Sequence, residues 1–555
     1  MQVRIRIPRP PDNGRSNHSP ALSAVIENPA ATKGRPALGA SARVALGILG
    51  SRLTGLVKER VIAHFFGDSA IADAFRAAIR IPNLLSNLFG EGVLSASFVT
   101  VYSKLRATQQ DEEAEHLAAA VFGILSLVCS VLVAAGVLLS PVLIDLIAPG
   151  FKGDVRVLTI HIVRILFPGT GLLVMSAWCL GVLNSHRRFL LSYLAPVAMN
   201  VTMILALVLL GGHSAQSDLV IDLAWAVVVG AGLQFLVQLP SVLKFLPAFR
   251  PAFETGSTHV RSVIRNFGPI FVSRGVVQIS AYVDSMIASL LPTGAVAALG
   301  YGQVISVMPI SLFSMSVSAA ELPTLSSAVG SQEEVADFLR RRLSAGLRRI
   351  AFFIVPSAVA FLVLGDVLAA FIYQSGQFHH ADAVYVWSVL AGSAVGLLAT
   401  SLGRLYSSAF YALLDTRTPL RFAVIRVALT IGLGCLFALF LPHWIGIDQK
   451  WGVAGLTVSA GIAGWVEFAL LRRGLGRRIG KIPLPPAFVL KLWSMAFLGA
   501  ALGYGVKLFL GTAHPVLLAC LVIPLYGGVY FGGTALFGIP ESRNIMSSVL
   551  RRIRP

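Results

Sequence analysis

Apolar runs of about 20 residues recur along most of this 555-residue chain. A run of that length crosses a ~30 Å hydrocarbon core as an α-helix. Lipid offers no hydrogen bonds, so a spanning backbone must be helical or close into a barrel. Barrel strands alternate over about ten residues, whereas these runs stay apolar throughout. The chain therefore reads as an all-α polytopic membrane protein. No polar stretch after residue 41 is long enough for a separate domain, which excludes a single-pass receptor. A composition 55% hydrophobic and 13% charged excludes a soluble enzyme and a disordered chain.

About fourteen spans are expected, near 42–66, 70–100, 117–147, 156–184, 189–210, 219–243, 262–290, 296–327, 350–366, 383–412, 422–441, 452–471, 486–510 and 515–538. The ninth has an amphipathic lead-in from about residue 335. The first two are the weakest by hydropathy because they carry many charges. The net charge of +19 would suggest nucleic acid on a soluble protein. Here it follows the positive-inside rule, and no nucleic-acid partner is expected. With the N-terminus in the cytoplasm, Arg340, Arg341, Arg342, Arg472, Arg473, Arg477 and Arg478 fall in cytoplasmic loops. The opposite loops hold only Lys152, Arg156 and Lys450. Both termini are thus expected inside.

The chain repeats itself weakly at an offset of six spans. Ser51-Arg52 is echoed by Ser273-Arg274, and Pro82 by Pro309. LNSHRRFLLSYLAP (183–196) is echoed by AFYALLDTRTPLRFAV (409–424). An even offset gives two halves of the same orientation, related by an axis along the membrane normal. The expected architecture is two parallel-repeat six-helix lobes around a central cavity, plus two C-terminal helices. The corresponding divisions are a disordered basic tail over 1–40, an N-lobe over 41–245, a C-lobe over 246–475, two helices over 476–540 and a cytoplasmic tail over 541–555.

Enzyme signatures are missing: there is no Walker A loop, HExxH, GxSxG or zinc-type spacing. GLGRRIG (474–480) lies in a basic loop with no strand before it, and His379-His380 reads as solvated. The four cysteines all fall in apolar runs and read as small buried hydrophobes. No catalytic residue, metal or cofactor is expected. Any transport would be driven by the membrane potential, a cation gradient or the substrate's own gradient.

The informative stretch is SRLTGLVKERVIAHFFGDSAIADAFRAAIRIPNLLSNLFGEGVLSASF (51–98). It places Arg52, Lys58, Glu59, Arg60, Asp73, Arg76, Arg80 and Glu91 in the first two spans. A mid-bilayer charge costs at least about 2.5 kcal/mol, so these residues cannot face lipid. Asp73, Arg76 and Arg80 fall at i, i+3 and i+7, which is one helical stripe. Two readings stay open. One is a salt-bridge network joining the first two helices. The other is a hydrated, net cationic cavity for an anionic headgroup, with Ser51 and Asn83 beside the charges. A diphosphate would suit guanidinium forks, and Glu59 and Asp73 would hold the cations when the cavity is empty. Pro82 and Gly90 interrupt the second span, and Pro309 the eighth, as hinges of a gate or as static kinks. In the second half, Arg274, Asp284 and Glu321 are candidates for the cavity or for ion coupling. Asp284 reads either as a cation site or as a satisfied internal carboxylate.

These residues resemble a known family. SR at the start of span one, FGDSAIADAF (66–75), PNLL (82–85), FGEGVLSASF (89–98), APGF (148–151), Phe167-Pro168, YQSGQF (373–378) and FYALLDTRTP (410–419) are similar to the MurJ/MviN lipid II flippases of the MOP exporter superfamily. The resemblance covers about residues 42–540. It implies export of undecaprenyl-diphosphate carrying a disaccharide-peptide, by alternating access, across the bacterial inner membrane. The diphosphate would lie in the N-lobe cavity and the lipid tail beside the last two helices. Arg52, Lys58-Glu59, Asp73 and Glu91 stand at the family's charged positions. Two family cations are replaced, by Ser86 and Val304, with Arg76, Arg80 and Arg274 as candidate substitutes. The alternatives are export of another undecaprenyl-diphosphate-linked glycan, or a scaffold for cell-wall synthesis or division proteins. A cationic-drug exporter would want net negative charge. A membrane polymerase would want a large external loop, and the external loops here are short.

Overall fold

The computed structural model describes residues 37–543, other than 90, 254–255, 328–330 and 512–513. Most of the expected N-terminal tail, Gly90, and the side chains of Glu91 and Arg274 lie outside the described residues.

The described residues form long helices, and length and composition make eleven of them fit to cross a membrane. We label the long helices α1 (Ala37–Phe66), α2 (Ala70–Phe89), α3 (Asp111–Leu138), α4 (Gly153–Ser185), α5 (Phe189–Leu210), α6 (Gln216–Leu243) and α7 (Thr258–Ser289). They continue as α8 (Ala295–Ser326), α9 (Gln332–Val363), α10 (His380–Ala412), α11 (Arg417–Ile445), α12 (Gly452–Ile479), α13 (Pro486–Leu510) and α14 (Pro515–Leu536). The three outside the apolar eleven are α1, α2 and α7. All three carry several ionisable residues, so the expected count of fourteen spans rests on helices that hydropathy alone does not select.

Boundaries differ from the sequence reading in three places. The first helix starts at Ala37, inside the expected tail. The second span is broken: α2 ends at Phe89, and a π-helical turn at Ser95–Val99 precedes a helix over Thr100–Ala107. The third span breaks at Leu139, where the helix Ser140–Ile147 begins with a proline in its first turn. Elsewhere local chemistry sets the ends. Ser331 and Glu334 form a reciprocal capping box at the start of α9.

Packing repeats at the expected offset. In the first half α1 lies on α5, α2 and α3 on α4, and α4 and α5 on α6. In the second half α7 lies on α11, α8 and α9 on α10, and α10 and α11 on α12. These are two six-helix bundles of one design. The α10–α12 contact is so close that a Cβ on Gly396 would sit 2.3 Å from the Cα of Gly461. Helices α13 and α14 pair and dock on α9. Pro356 lacks the N–H that would bond the Phe352 carbonyl, and the Tyr530 hydroxyl donates to that carbonyl at 2.6 Å instead.

One apolar core joins both bundles at the end where α1 turns into α2 and continues along the second bundle as far as Leu339 and Ile479. At the opposite end the first bundle has a separate core around Trp178, Phe98 and Tyr102. Val260 and Val263 of α7 join this second core, and Phe267 and Phe271 pack on Phe89, so α7 also ties the bundles together at this end. Large apolar side chains such as Leu209, Leu498 and Phe509 remain exposed on the outer faces, as expected for surfaces that meet lipid tails.

Candidate functional site

The α1 and α2 stripes do not lie against each other's backbone. Helix α1 rests on α5 and α2 on α4, so the stripes front a gap. That gap is a cavity of about 510 Å³. Ser51, Arg52, Lys58, Glu59, Arg76, Arg80 and Asn83 line it from the first bundle. Tyr282 of α7 and Gly300, Gln303, Val304, Val307 and Met308 of α8 line it from the second.

The charges are arranged around one buried carboxylate. Glu59, 8% exposed, pairs with Lys58 at 3.1 Å and with Arg76. The Arg76 guanidinium also lies over the Tyr301 ring, 4.5 Å from its centroid, a geometry the ring quadrupole favours. Arg80 reaches across the gap: its Nη2 donates to the Gln303 amide oxygen at 3.4 Å, and the Tyr282 hydroxyl donates to its carbonyl at 2.9 Å. Arg52 is exposed to the cavity. Four cations, Arg52, Lys58, Arg76 and Arg80, thus face one anion, Glu59, which leaves a net +3. Ion pairs and a net cationic cavity are both present here, the first holding the wall of the second.

Asp73 is elsewhere. It does not line the cavity, and its carboxylate accepts from the backbone N–H of Gly294 at 2.6 Å and of Ala297 at 2.7 Å. A residue of one bundle thus caps the N-terminus of α8 in the other, where free N–H groups and the helix dipole favour an anion. The expectation that Asp73 holds cavity cations is corrected: backbone donors take both its oxygens. Gly294 has φ +95°, and a Cβ there would meet the Asp68 carboxylate at 2.5 Å. Arg60 is also absent from the cavity. It donates to the carbonyls of Phe371 and Ile372 at 2.7 and 3.0 Å, at the C-terminal end of the helix Gly365–Tyr373.

These contacts belong to a seal at the end where α1 turns into α2. The Tyr301 hydroxyl donates to Gly67 O at 3.0 Å, and Gln377 N donates to His64 O at 2.8 Å. Tyr301, Tyr373 and Phe378 cluster with ring centroids 4.9 to 5.7 Å apart. Gly150 of the APGF motif donates to Ser289 at 3.2 Å. The sequence motifs FGDSAIADAF, APGF and YQSGQF are therefore parts of one closure, which their wide separation in the chain concealed.

The remaining candidates disperse. Glu321 pairs with Arg342 at 3.2 Å and ties α8 to α9, so it is not a cavity group. Asp284 is not among the cavity residues, and its Oδ1 is buried without a hydrogen-bond partner among the described residues. No metal-binding cluster of His, Cys, Asp or Glu occurs among the described residues. Pro82 is buried within α2, and Pro309 directly precedes the π-helical turn Ile310–Met315 of α8. Arg426 pairs with Glu467 at 3.2 Å, and Arg164 donates to Ser140 at 3.0 Å, both structural contacts. In the DTRTP turn, Asp415 accepts from the N–H and hydroxyl of Thr418 and from Arg478. Burial alone would push its pKa up, but these donors hold it at about 2. Tyr282, Gly300 and Tyr301 were missed from sequence, because small and aromatic residues in an apolar span carry no local signal.

Comparisons with known proteins agree with this geometry. A family model described as lipid II flippase MurJ matches residues 62–523. The protein named lipid II flippase MurJ from Burkholderia cenocepacia is 31% identical over 500 residues, covering 87% of this chain and 94% of its own length. A Rhizobium meliloti protein named probable lipid II flippase MurJ is 30% identical over 513 residues, covering 88% and 92%. A solved structure of lipid II flippase MurJ in an inward closed conformation superposes with TM-score 0.75 at 23% identity, over 91% of this chain and 99% of that one. An inward-facing multidrug transporter of the MATE family in the MOP superfamily superposes with TM-score 0.60 at 17% identity, over 79% and 98%. The chain is a member of the MurJ lipid II flippase family.

Proposed function

We propose that this protein is a transporter that carries lipid II from the inner to the outer leaflet of the bacterial inner membrane. The observation that carries the reading is the net-cationic cavity between the bundles, closed at one end by bonds between them. A diphosphate is the natural guest of clustered guanidinium and ammonium groups. Arg52 and Arg80 present donors to the cavity, while Glu59 holds Lys58 and Arg76 on its wall. Loop charges orient both termini to the cytoplasm. The sealed end then faces outward, and the headgroup enters from the cytoplasmic side. Loading would favour a state in which the Asp73 cap opens and the other end closes. A membrane potential or cation gradient would reset the cycle. The undecaprenyl tail would stay in lipid against α13 and α14.

One observation favours a second reading. Val304, Val307 and Met308 make the α8 side of the cavity apolar where the family places a cation. That wall suits another undecaprenyl-diphosphate-linked glycan.

The test is complementation of a bacterium depleted of its own lipid II flippase, with lipid II assayed in the outer leaflet. Rescue by the wild type and failure of Arg52→Ala, with both proteins in the membrane, supports lipid II. No rescue by a folded wild type moves the substrate to the second class.

A further inference from the structure

Two cavities among the described residues are larger than the central one. One, of about 740 Å³, lies where the α4–α5 turn meets the end of α6. Arg187, Arg188 and Lys244 line it beside His186 and Phe245. The other, of about 640 Å³, lies at the end of α12. Arg472, Arg473, Arg477 and Lys481 line it beside Trp465 and Phe468. The first lies between the α4–α5 turn and α6, whereas the second is lined by α12 and the residues that follow it, so each bundle carries a basic pocket at the end away from the seal.

The positive-inside rule explains basic loops but not these pockets. Some other cations at this end have carboxylate partners: Arg106 with Asp111, Arg342 with Glu321, Arg348 with Glu541, Arg478 with Asp415. The seven pocket cations have no carboxylate within 4.0 Å among the described residues, although they lie two or three to a helical turn. What sets these apart is that they are grouped around concavities. Each pocket also borders lipid-facing apolar surface. Leu190, 38% exposed, lines the first, and Trp465, 39% exposed, lines the second. In the first, His186 stacks on Phe245 with centroids 4.0 Å apart, giving a flat apolar floor. Burial and the nearby Arg106 hold the His186 pKa at about 4, so the floor is neutral at physiological pH.

We propose that these pockets are headgroup sites for anionic phospholipids of the surrounding leaflet, one on each bundle. The phosphodiester would sit among the cations, and the first acyl carbons would lie on Leu190 and Phe189 or on Trp465 and Phe468. A lipid anchored at the moving end of each bundle would tie lobe motion to membrane charge. This inference is independent of the cargo in the central cavity.

The test uses the delipidated full-length protein, titrated with phosphatidylglycerol or phosphatidylcholine and read by native mass spectrometry. Phosphatidylglycerol should be retained over phosphatidylcholine, and more weakly as salt rises. Substituting glutamine for Arg187, Arg188 and Lys244, or for Arg472, Arg473 and Arg477, should weaken phosphatidylglycerol by about fivefold per cation removed. Phosphatidylcholine and undecaprenyl diphosphate should be unaffected. If a triple variant fails to fold, the single variants Lys244→Gln and Arg477→Gln carry the same test at one step each. Equal retention of the two phospholipids, or variants indistinguishable from wild type, overturns the proposal. A parallel loss of undecaprenyl diphosphate also overturns it and assigns the pockets to the cargo.

Discussion

The seal and the cavity are built from the same two helices, yet they use charge in opposite ways. At the seal, the Asp73 carboxylate is taken up by backbone N–H groups of α8, and Arg60 by backbone carbonyls. Both bonds cross between elements far apart in sequence. In the cavity, Glu59 gathers two cations, Arg80 bonds Gln303 across the gap, and Arg52 is exposed to it. Charge at the seal is consumed by the fold, and charge in the cavity is left in excess. A carboxylate bonded to fixed helix-end donors closes an interface. A lone carboxylate among four cations only positions them, and the remaining charge is available to a ligand.

The comparison breaks most sharply at Arg52. Arg52→Ala should reduce lipid II transport by at least tenfold or so, the worth of one charge-assisted bond to a phosphate. Its thermal unfolding should stay within about 0.5 kcal/mol of wild type, because the side chain is exposed. A large loss of stability with transport intact would place Arg52 in the fold instead.

Asp73→Ala should do the reverse. Removing the cap orphans two buried N–H groups, at about 2–5 kcal/mol. Spin labels placed across the seal should report longer distances, and Asp73→Asn should be intermediate because it retains one acceptor. Unchanged distances in the alanine variant would show that the aromatic cluster alone holds the seal.

Gly294→Ala tests the same joint through the backbone. A φ of +95° and the nearby Asp68 carboxylate make a side chain strained there, by about 1–2 kcal/mol. Thermal unfolding measures it, and a neutral outcome would mean that the α8 N-terminus relaxes freely.

Glu59→Gln sharpens the cavity side. Freed of their partner, Lys58 and Arg76 should bind undecaprenyl diphosphate several-fold more tightly, by roughly 1 kcal/mol. Turnover should fall because release slows. Weaker binding would show that Glu59 orders the cations rather than masking them.

The smallest effect lies in the α10–α11 turn. Asp415, with its pKa held at about 2, stabilises the fold above the ordinary carboxylate pKa near 4. That contribution is lost as pH falls from about 4 toward 2. Asp415→Asn should therefore lower the unfolding temperature equally at pH 5 and pH 8, with the difference from wild type shrinking only below about pH 4.

Much of the cavity was legible in the sequence. Arg52, Lys58, Glu59, Arg76 and Arg80 cannot face lipid, and helical spacing puts the last two on one stripe. The same stripe includes Asp73, and there the reading failed. Three residues are about 4.5 Å of helix, enough to move Asp73 from the cavity to the level where α8 begins. Its partners lie more than 200 positions away, and no local pattern announces them. Arg60 failed for the same reason, since it directly follows Glu59 but points to the end of another helix. Glu321 was read as a cavity candidate, but its pairing with Arg342 depends on how α8 and α9 meet.

The sequence by itself determined the membrane setting, the helical class, the doubled plan and the excess of positive charge near α1 and α2. Each of these follows from local or summed quantities: hydropathy over a span, periodicity along a helix, and charge counted along the chain. The tertiary structure alone decided which charges face the cavity and which close the seal. That choice depends on the depth of each side chain along its helix and on which backbone ends meet it there, and both are set by packing between helices remote in the chain.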